Sequence, residues 1–379
     1  MKIALIHDGI ICRGGAERVF LYFIQAFPEA DIFSSVYYPE ATFPEFRNYK
    51  IHTSWYNKIT KNEFSYKKLF FPFGVWAAKS IDLKKYDVVL QSTTTGAKYA
   101  KYGKKTIVIS YCHQPFRLLW YPNSYTQYKN AGKLKKIIFD LLRWYYKKID
   151  YKSAQRVDIF IANSKSTISA IKKSYNRESD FLINPPIKEN KYTGEAKDEN
   201  YYLIVSRMEP YKKVDIAIEA FNQLNYKLII VGSGTQKQYL QSIAKNNIIF
   251  KDGVNDEELE KLYTNCKALI FPQLEDYGIT PLEANAAGRP VIAYGKGGVL
   301  ETQIAYNGAN IDESTALYFE KQDPDDIIDA VMKFEKIKFN KDFIIEHSKK
   351  FNNLSFVNQI QKVVIKSVES KSITFIDRK

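Results

Sequence analysis

An α/β chain of two doubly wound parallel-sheet domains is predicted by three observations. With 379 residues the chain exceeds what one hydrophobic core usually sustains. Short apolar runs without period-two alternation recur along it and alternate with helical periodicity, the pattern of strands covered on both faces. The alternation stops in a polar stretch, Lys188 to Asn200, that lacks large aliphatic residues and reads as a linker, then starts again. The boundaries expected are 1–190 for the first domain and 191–354 for the second.

Composition narrows the function classes. Hydrophobic content of 45% and aromatic content of 15% suffice for packed cores and argue against extended disorder. A net charge of +14 favours polyanions or anionic surfaces, namely nucleic acid, a phosphorylated substrate or a membrane face. The charge is spread along the chain, and no recognition-helix, RNP-like or zinc-finger pattern accompanies it, so nucleic-acid binding is the weaker competitor. Cys12, Cys112 and Cys266 are odd in number and far apart, with no metal-ligand or disulfide spacing, which fits a reducing cytoplasm. The opening MKIALIHDGI reads as a first strand and not as a signal peptide, and no run reaches the roughly 18 apolar residues that a membrane span needs.

In chain order, Ile3–Ile6 form a short buried strand, and Arg13-Gly14-Gly15 lead into a helix from about Ala16 to Ala26. Adjacent glycines before a helix leave backbone N–H groups facing whatever sits there, although a plain turn reads the same way. The segment Lys67–Leu83 is aromatic with Pro72 and Gly74 inside it; core packing explains most of it, and a dip into a membrane interface is the alternative. Strands at Asp87–Leu90 and Thr106–Ser110 follow, the second running into Tyr111-Cys112-His113, which puts a histidine at the ligand-binding end of a sheet. From Lys129 to Arg156 the chain is densely basic, and Leu134, Ile137, Ile138, Leu141, Leu142, Tyr145 and Ile149 recur at helical spacing. The expectation is an inward apolar stripe and an outward basic face able to lie weakly, without insertion, on anionic lipid. A strand at Val157–Ala162 and a helix capped at Asn163-Ser164 complete the first domain.

The second domain starts at Tyr201–Ser206, followed by Arg207 and Lys212, two cations at a strand end and able to clamp a phosphate. Strands at Leu228–Val231 and Ile248–Phe250 end at Gly232-Ser233-Gly234 and Asp252-Gly253-Val254. The stretch Leu269–Ala293 then reads strand, loop, helix, strand, with Glu275 in the loop, Gly278 permitting close backbone approach, and Ile279 and Thr280 at the helix start. Glu283 on that helix has two readings: a ligand contact, or the acid of a capping box with Thr280. Asp323-Pro324-Asp325 reads as a helix cap and not as a metal site. Helices near Pro324–Phe334 and Lys341–Phe351 and a final amphipathic piece follow.

The wording EDYGITPLEA, GRPVIAYGKGG, SRMEPYKKVD and YCHQPFRLLW resembles the retaining glycosyltransferases of family 4, in their mannosyltransferase-like branch, over nearly the whole chain. That resemblance implies the GT-B fold: two Rossmann-like domains facing a central cleft, the first binding acceptor and the second nucleotide sugar, with a helix at 355–379 crossing back onto the first. It implies that Glu275 and His113 face the donor sugar, Glu283 the ribose, Arg207 and Lys212 the diphosphate, Val254 the base, and Gly14 and Gly15 the phosphates and sugar. Gly278, Ile279 and Thr280 are carried over as donor contacts. Lys213 departs from the pattern, standing where the family often has glycine.

The expected activity is transfer of a hexose, mannose from GDP-mannose first, onto an oligosaccharide or polyprenyl-linked glycan in surface polysaccharide biosynthesis. No cofactor or metal is expected, and the enzyme would work in the cytoplasm at the inner membrane face, held there by weak electrostatic attraction. Alternatives are a UDP-sugar donor, an epimerase or hydrolase of the same fold, or the nucleic-acid role.

Overall fold

The computed structural model describes residues 1–122, 128, 132–187 and 200–376, the side chains of Phe71, Pro72 and 371–376 excepted. The expected linker, apart from Asn200, and the Lys129 start of the basic segment lie outside the described residues. The chain divides into two compact units: Met1–Pro185 together with Leu354 onward, and Pro186–Asn353.

In the first unit the strands are β1 (Ile3–His7), β2 (Asp31–Ser34), β3 (Ile51–Thr53), β4 (Asp82–Leu83), β5 (Val88–Thr93), β6 (Lys101–Tyr102), β7 (Ile107–Cys112), β8 (Ile159–Ala162) and β9 (Phe181–Leu182). Seven of them form a parallel sheet in the order β3-β2-β1-β5-β7-β8-β9, with β4 and β6 paired apart. The second unit holds β10 (Tyr201–Val205), β11 (Lys227–Val231), β12 (Ile248–Lys251), β13 (Leu269–Phe271), β14 (Val291–Tyr294) and β15 (Ala316–Phe319), all parallel in the order β12-β11-β10-β13-β14-β15. Strand order reverses beside β1 and beside β10. At such switch points the loops after two neighbouring strands diverge and leave a crevice at the carboxyl ends.

Burial explains why these runs are strands. Every residue of β5, β7 and β13 is buried, so alternation is absent where both faces are covered. The helix Gly15–Ala26 packs Val19, Phe20, Phe23 and Ile24 onto the first sheet. The last helix, Asn353–Ile376, adds Phe356, Val357, Ile360, Val363 and Val364 to that same core, and Gln361 Nε2 donates to the Ala26 carbonyl at 2.8 Å. Its Phe356 ring stacks on Phe23 and meets Tyr111 edge-on.

Several segments depart from their sequence reading. The aromatic stretch is nearly continuous helix: Glu63–Leu69 passes through a wide π-type turn at Phe70–Gly74 into Val75–Ser80. Phe70 is buried against Tyr66 and Phe116, so packing absorbs the middle of this segment while Trp76 stays exposed. β5 and β7 run to Thr93 and Cys112, beyond the expected ends, which places His113 directly after β7. Asp323 is a helix cap: its carboxylate accepts from the Asp326 N–H at 2.9 Å.

The largest difference concerns the basic helix, Lys133–Ala154. The sequence reading put its apolar stripe against the core. Instead Leu134, Ile137, Ile138, Leu141, Leu142, Trp144 and Tyr145 are exposed, and the buried residues are Tyr146, Asp150, Ser153 and Ala154. Asp150 accounts for the reversal. Its carboxylate takes Lys98 Nζ at 2.9 Å, the Tyr99 hydroxyl at 2.6 Å and Trp120 Nε1 at 2.7 Å, which compensates a charge that burial alone would penalise.

Candidate active site

At the carboxyl end of the second sheet, the loop after β10 carries Arg207, Met208 and Lys212. Met208 is fully buried, its N–H donating to the Ser233 carbonyl at 2.8 Å and its carbonyl accepting from Gln236 N–H. Gly232, at φ +137°, makes this contact possible, since a Cβ there would lie 2.1 Å from the Ser206 carbonyl oxygen. The loop after β11 is thus clamped onto the loop after β10, and the two cations stand on a rigid base.

Arg207 and Lys212 are both oriented by one residue that the sequence reading missed. Tyr211 accepts from Arg207 at 2.7 Å through its hydroxyl, while its ring lies 5.2 Å beneath the Lys212 ammonium. Arg207 is exposed and Lys212 is buried, and Lys212 forms an ion pair with Glu275. The first glutamate and the second cation of the expected motif set therefore meet directly, across 63 residues of chain. Lys213 has left-handed backbone, φ +55°, which explains physically why glycine suits this position.

The Glu275 loop is held from behind by Gly297 and Gly298. The Gly298 N–H donates to the Glu275 carbonyl at 2.8 Å, and a Cβ at Gly298 would lie 2.2 Å from Tyr277 Cα. The helix that follows is Thr280–Ala286, with Ile279 as its N-cap and no side-chain cap. The capping-box reading of Thr280 and Glu283 is therefore not realised. Glu283 instead accepts from the Tyr263 hydroxyl at 2.8 Å, and it remains partly exposed. Gly278 is left-handed at φ +83°. Val254 sits half-buried on the second core after β12, next to Asp252, which pairs with Lys237.

In the first unit, the carboxyl ends of β1, β5 and β7 bring His7, Ser92 and His113 together. Ser92 Oγ lies 3.0 Å from His7 Nδ1 and 2.8 Å from His113 Nε2, so one hydroxyl can donate to one ring and accept from the other. Beside them Asp8 is buried and saturated: its carboxylate accepts from Thr93 Oγ1 at 3.0 Å, Thr94 Oγ1 at 2.9 Å, and the N–H groups of Thr94, Thr95 and Ala97 at 2.6–2.7 Å. Burial pushes its carboxyl up, but the neighbouring His7 ring and the three N–H donors outweigh this and hold it below the usual range. Gly14 is the N-cap of helix Gly15–Ala26, and buried Glu17 in the first turn accepts from Cys12 Sγ at 3.1 Å. His7, Asp8, Ser92 and Glu17 went unnoticed in the sequence because their meaning depends on strands far apart in the chain.

Burial and the His7 ring push His113 down to about 3. A histidine whose folded value lies below its unfolded value, near 6.5, stabilises fully above that unfolded value and loses the contribution as pH falls toward 3. His113 is expected to stay neutral from pH 8 to 5, visible as flat imidazole ¹⁵N shifts. His113→Gln should lose less stability than the wild type between about pH 6.5 and 4. A His113 titration midpoint above pH 5 would contradict this environment.

Two doubly wound units with cations and carboxylates at the ends of the strands are the architecture of the GT-B glycosyltransferases. The family model "Glycosyltransferase Family 4" matches residues 13–185, and "Glycosyl transferases group 1" matches residues 187–353. The alpha-1,3/1,6-mannosyltransferase ALG2 of Candida glabrata is 24% identical over 407 residues, covering 89% of this chain and 85% of that protein. The O-antigen chain mannosyltransferase RfbU of Salmonella typhimurium is 26% identical over 215 residues, covering 51% of this chain and 57% of RfbU, a little over half its length. In fold, the chain is similar to Anabaena HepE, solved in complex with UDP, with a TM-score of 0.66 at 16% identity, covering 97% of this chain and all of that one. The chain belongs to the family 4 glycosyltransferases, and the named relatives fall in their mannosyltransferase branch.

Proposed function

We propose that the protein transfers mannose from GDP-mannose, with retention, onto an oligosaccharide or polyprenyl-linked glycan of a surface polysaccharide. The observation that carries this reading is the Lys212–Glu275 pair with Tyr211 and Arg207 beside it. Breaking a glycosyl phosphate bond leaves negative charge on the diphosphate and positive charge on the sugar, and pre-placed charges of the opposite sign stabilise that separation. Lys212 and Arg207 supply the cations, and Glu275, released from Lys212 by the arriving diphosphate, turns to the sugar. The helix Thr280–Ala286 is only about two turns long, so the two side-chain cations carry more of the phosphate charge than its dipole does. With that charge neutralised, the reaction proceeds without a metal. The leaving phosphate accepts the acceptor proton on the same face, and neutral His113 orients the donor sugar through hydrogen bonds.

In this reading Gly14, Gly15, Val254, Gly278, Ile279 and Thr280 keep the donor contacts that the family resemblance assigns them. The names of the mannosyltransferase relatives support the sugar, and the RfbU name supports the surface glycan. The complex of HepE with UDP keeps a uridine donor as the second reading. Among the described residues no helix is long and apolar enough to cross a membrane. In this reading a lipid-linked acceptor is met at the inner membrane face from the cytoplasm. A thermal-shift panel of nucleotide sugars tests the donor, with the largest shift expected for GDP-mannose. Glu283→Gln keeps the Tyr263 contact and should melt like the wild type while binding donor about tenfold more weakly, the loss of one charged contact. Equal donor affinity would remove Glu283 from the site.

A further inference from the structure

The helix Lys133–Ala154 is turned the opposite way from an ordinary surface helix. At 100° per residue, Phe139, Asp140, Arg143, Tyr146 and Asp150 share one side and Leu134, Ile137, Ile138, Leu141 and Tyr145 the other. The polar side faces the protein: Asp140 accepts from the Tyr128 hydroxyl at 2.8 Å, Arg143 donates to the Leu119 carbonyl at 3.3 Å, and Asp150 is held by Lys98, Tyr99 and Trp120. The apolar side is open, with Leu134, Ile137 and Leu141 exposed by 72%, 65% and 68%. Leu142 and Trp144 widen it to either flank. Seven large apolar side chains on one exposed helix face form a contiguous patch of a kind that soluble surfaces rarely carry without an occupant.

The charges at its rim say which occupant fits. Lys133, Lys135, Lys148 and Lys152 are exposed around the apolar face, and the Lys148 ammonium sits 3.5 Å over the Trp144 ring. In a two-fold contact between copies these lysines would crowd like charges around a shared apolar centre. An anionic lipid surface neutralises them, takes the aliphatic residues among its acyl chains, and accommodates Trp144 and Tyr145 at the headgroup level. We infer that this helix inserts its apolar face into the boundary of an anionic bilayer. The inference deepens the membrane-side placement proposed above, yet rests on the helix alone and replaces the salt-released surface contact expected from sequence.

The test uses the full chain with vesicles of phosphatidylcholine alone or with a quarter of phosphatidylglycerol. Binding to the anionic vesicles is expected to persist in part at about 0.5 M salt, where exposed charges are screened within a few ångströms. Ile137→Ser combined with Leu141→Ser should lower partition at least about tenfold, with melting unchanged because both side chains are exposed. Trp144 should shift its emission to the blue on binding, read as the difference from Trp144→Phe. Wild-type partition by the double variant, or complete release by salt, overturns the inference. A dimer that the double variant dissolves, without vesicle binding by either protein, overturns it in favour of a second copy. Turnover of a soluble acceptor analogue should be equal in all variants, so a failed vesicle arm leaves the transferase reading standing, and absent turnover leaves the helix inference standing.

Discussion

Lys212→Ala is expected to lower kcat by about 10²–10³-fold, the loss typical of removing one donor aimed at developing negative charge. Binding of the nucleoside diphosphate product should weaken about 10- to 100-fold, as for a lost charged hydrogen bond of about 1.5–3 kcal/mol, while free nucleoside binds as before. The effect is large because Lys212 is buried and positioned by both Glu275 and the Tyr211 ring, so water does not replace it. Arg207→Ala should cost less, about tenfold in diphosphate affinity, because Arg207 is exposed and screened. Tyr211→Phe keeps the ring and removes only the hydroxyl, so it should resemble a mild Arg207 defect and leave the Lys212 contribution intact. Titration calorimetry with nucleoside and nucleoside diphosphate separates these outcomes, and unchanged diphosphate affinity in Lys212→Ala would place the phosphate elsewhere.

The largest stability effect is expected at Asp150. Its carboxylate is fully buried against Lys98, Tyr99 and Trp120, and removing it leaves the Lys98 charge buried without that carboxylate. Breaking a buried pair from one side costs about 3–5 kcal/mol. For a unit of this size, that corresponds to a melting temperature roughly 6–20 °C lower. Lys98→Met combined with Asp150→Leu should recover most of the loss, since apolar residues of similar volume replace a desolvated pair at little net cost. Calorimetry on the single and double variants reads this directly. A double variant no more stable than Asp150→Ala would show that the pair contributes more than its own compensation. The same substitution loosens the anchor that turns the apolar face of Lys133–Ala154 outward, which links this stability effect to the membrane inference.

What could be read from the sequence was local. Strand runs such as Leu228–Val231 and Leu269–Phe271 announce themselves because burial on both faces leaves no alternation. Arg207, Lys212, Glu275 and Glu283 stood out because each follows a strand end or opens a helix, and the structure brings Lys212 onto Glu275. Pairings across long separations were not legible. Asp8 looks like any loop acid until β5 delivers residues 93–97 to it, and Ser92 acquires its place between two imidazoles only through the β1–β5–β7 register. The apolar period of Leu134–Tyr145 located a helix face correctly but not its direction. Direction was decided by Asp150, whose partners lie 30 to 52 positions away. The Glu283 spacing fitted a cap and a ligand contact equally well; the structure removes the cap, since Ile279 is the N-cap and no side chain caps the helix, and Glu283 accepts from Tyr263 instead.

The proposed retaining transfer of mannose predicts the anomeric configuration of the product. With ¹³C-labelled GDP-mannose and a polyprenyl-linked or soluble glycan acceptor, the one-bond C–H coupling at the new anomeric carbon should match that of the donor. No product should form without acceptor, and Lys212→Ala should nearly abolish the signal. An inverted linkage, turnover without acceptor, or an epimerised nucleotide sugar would rule out retaining mannosyl transfer.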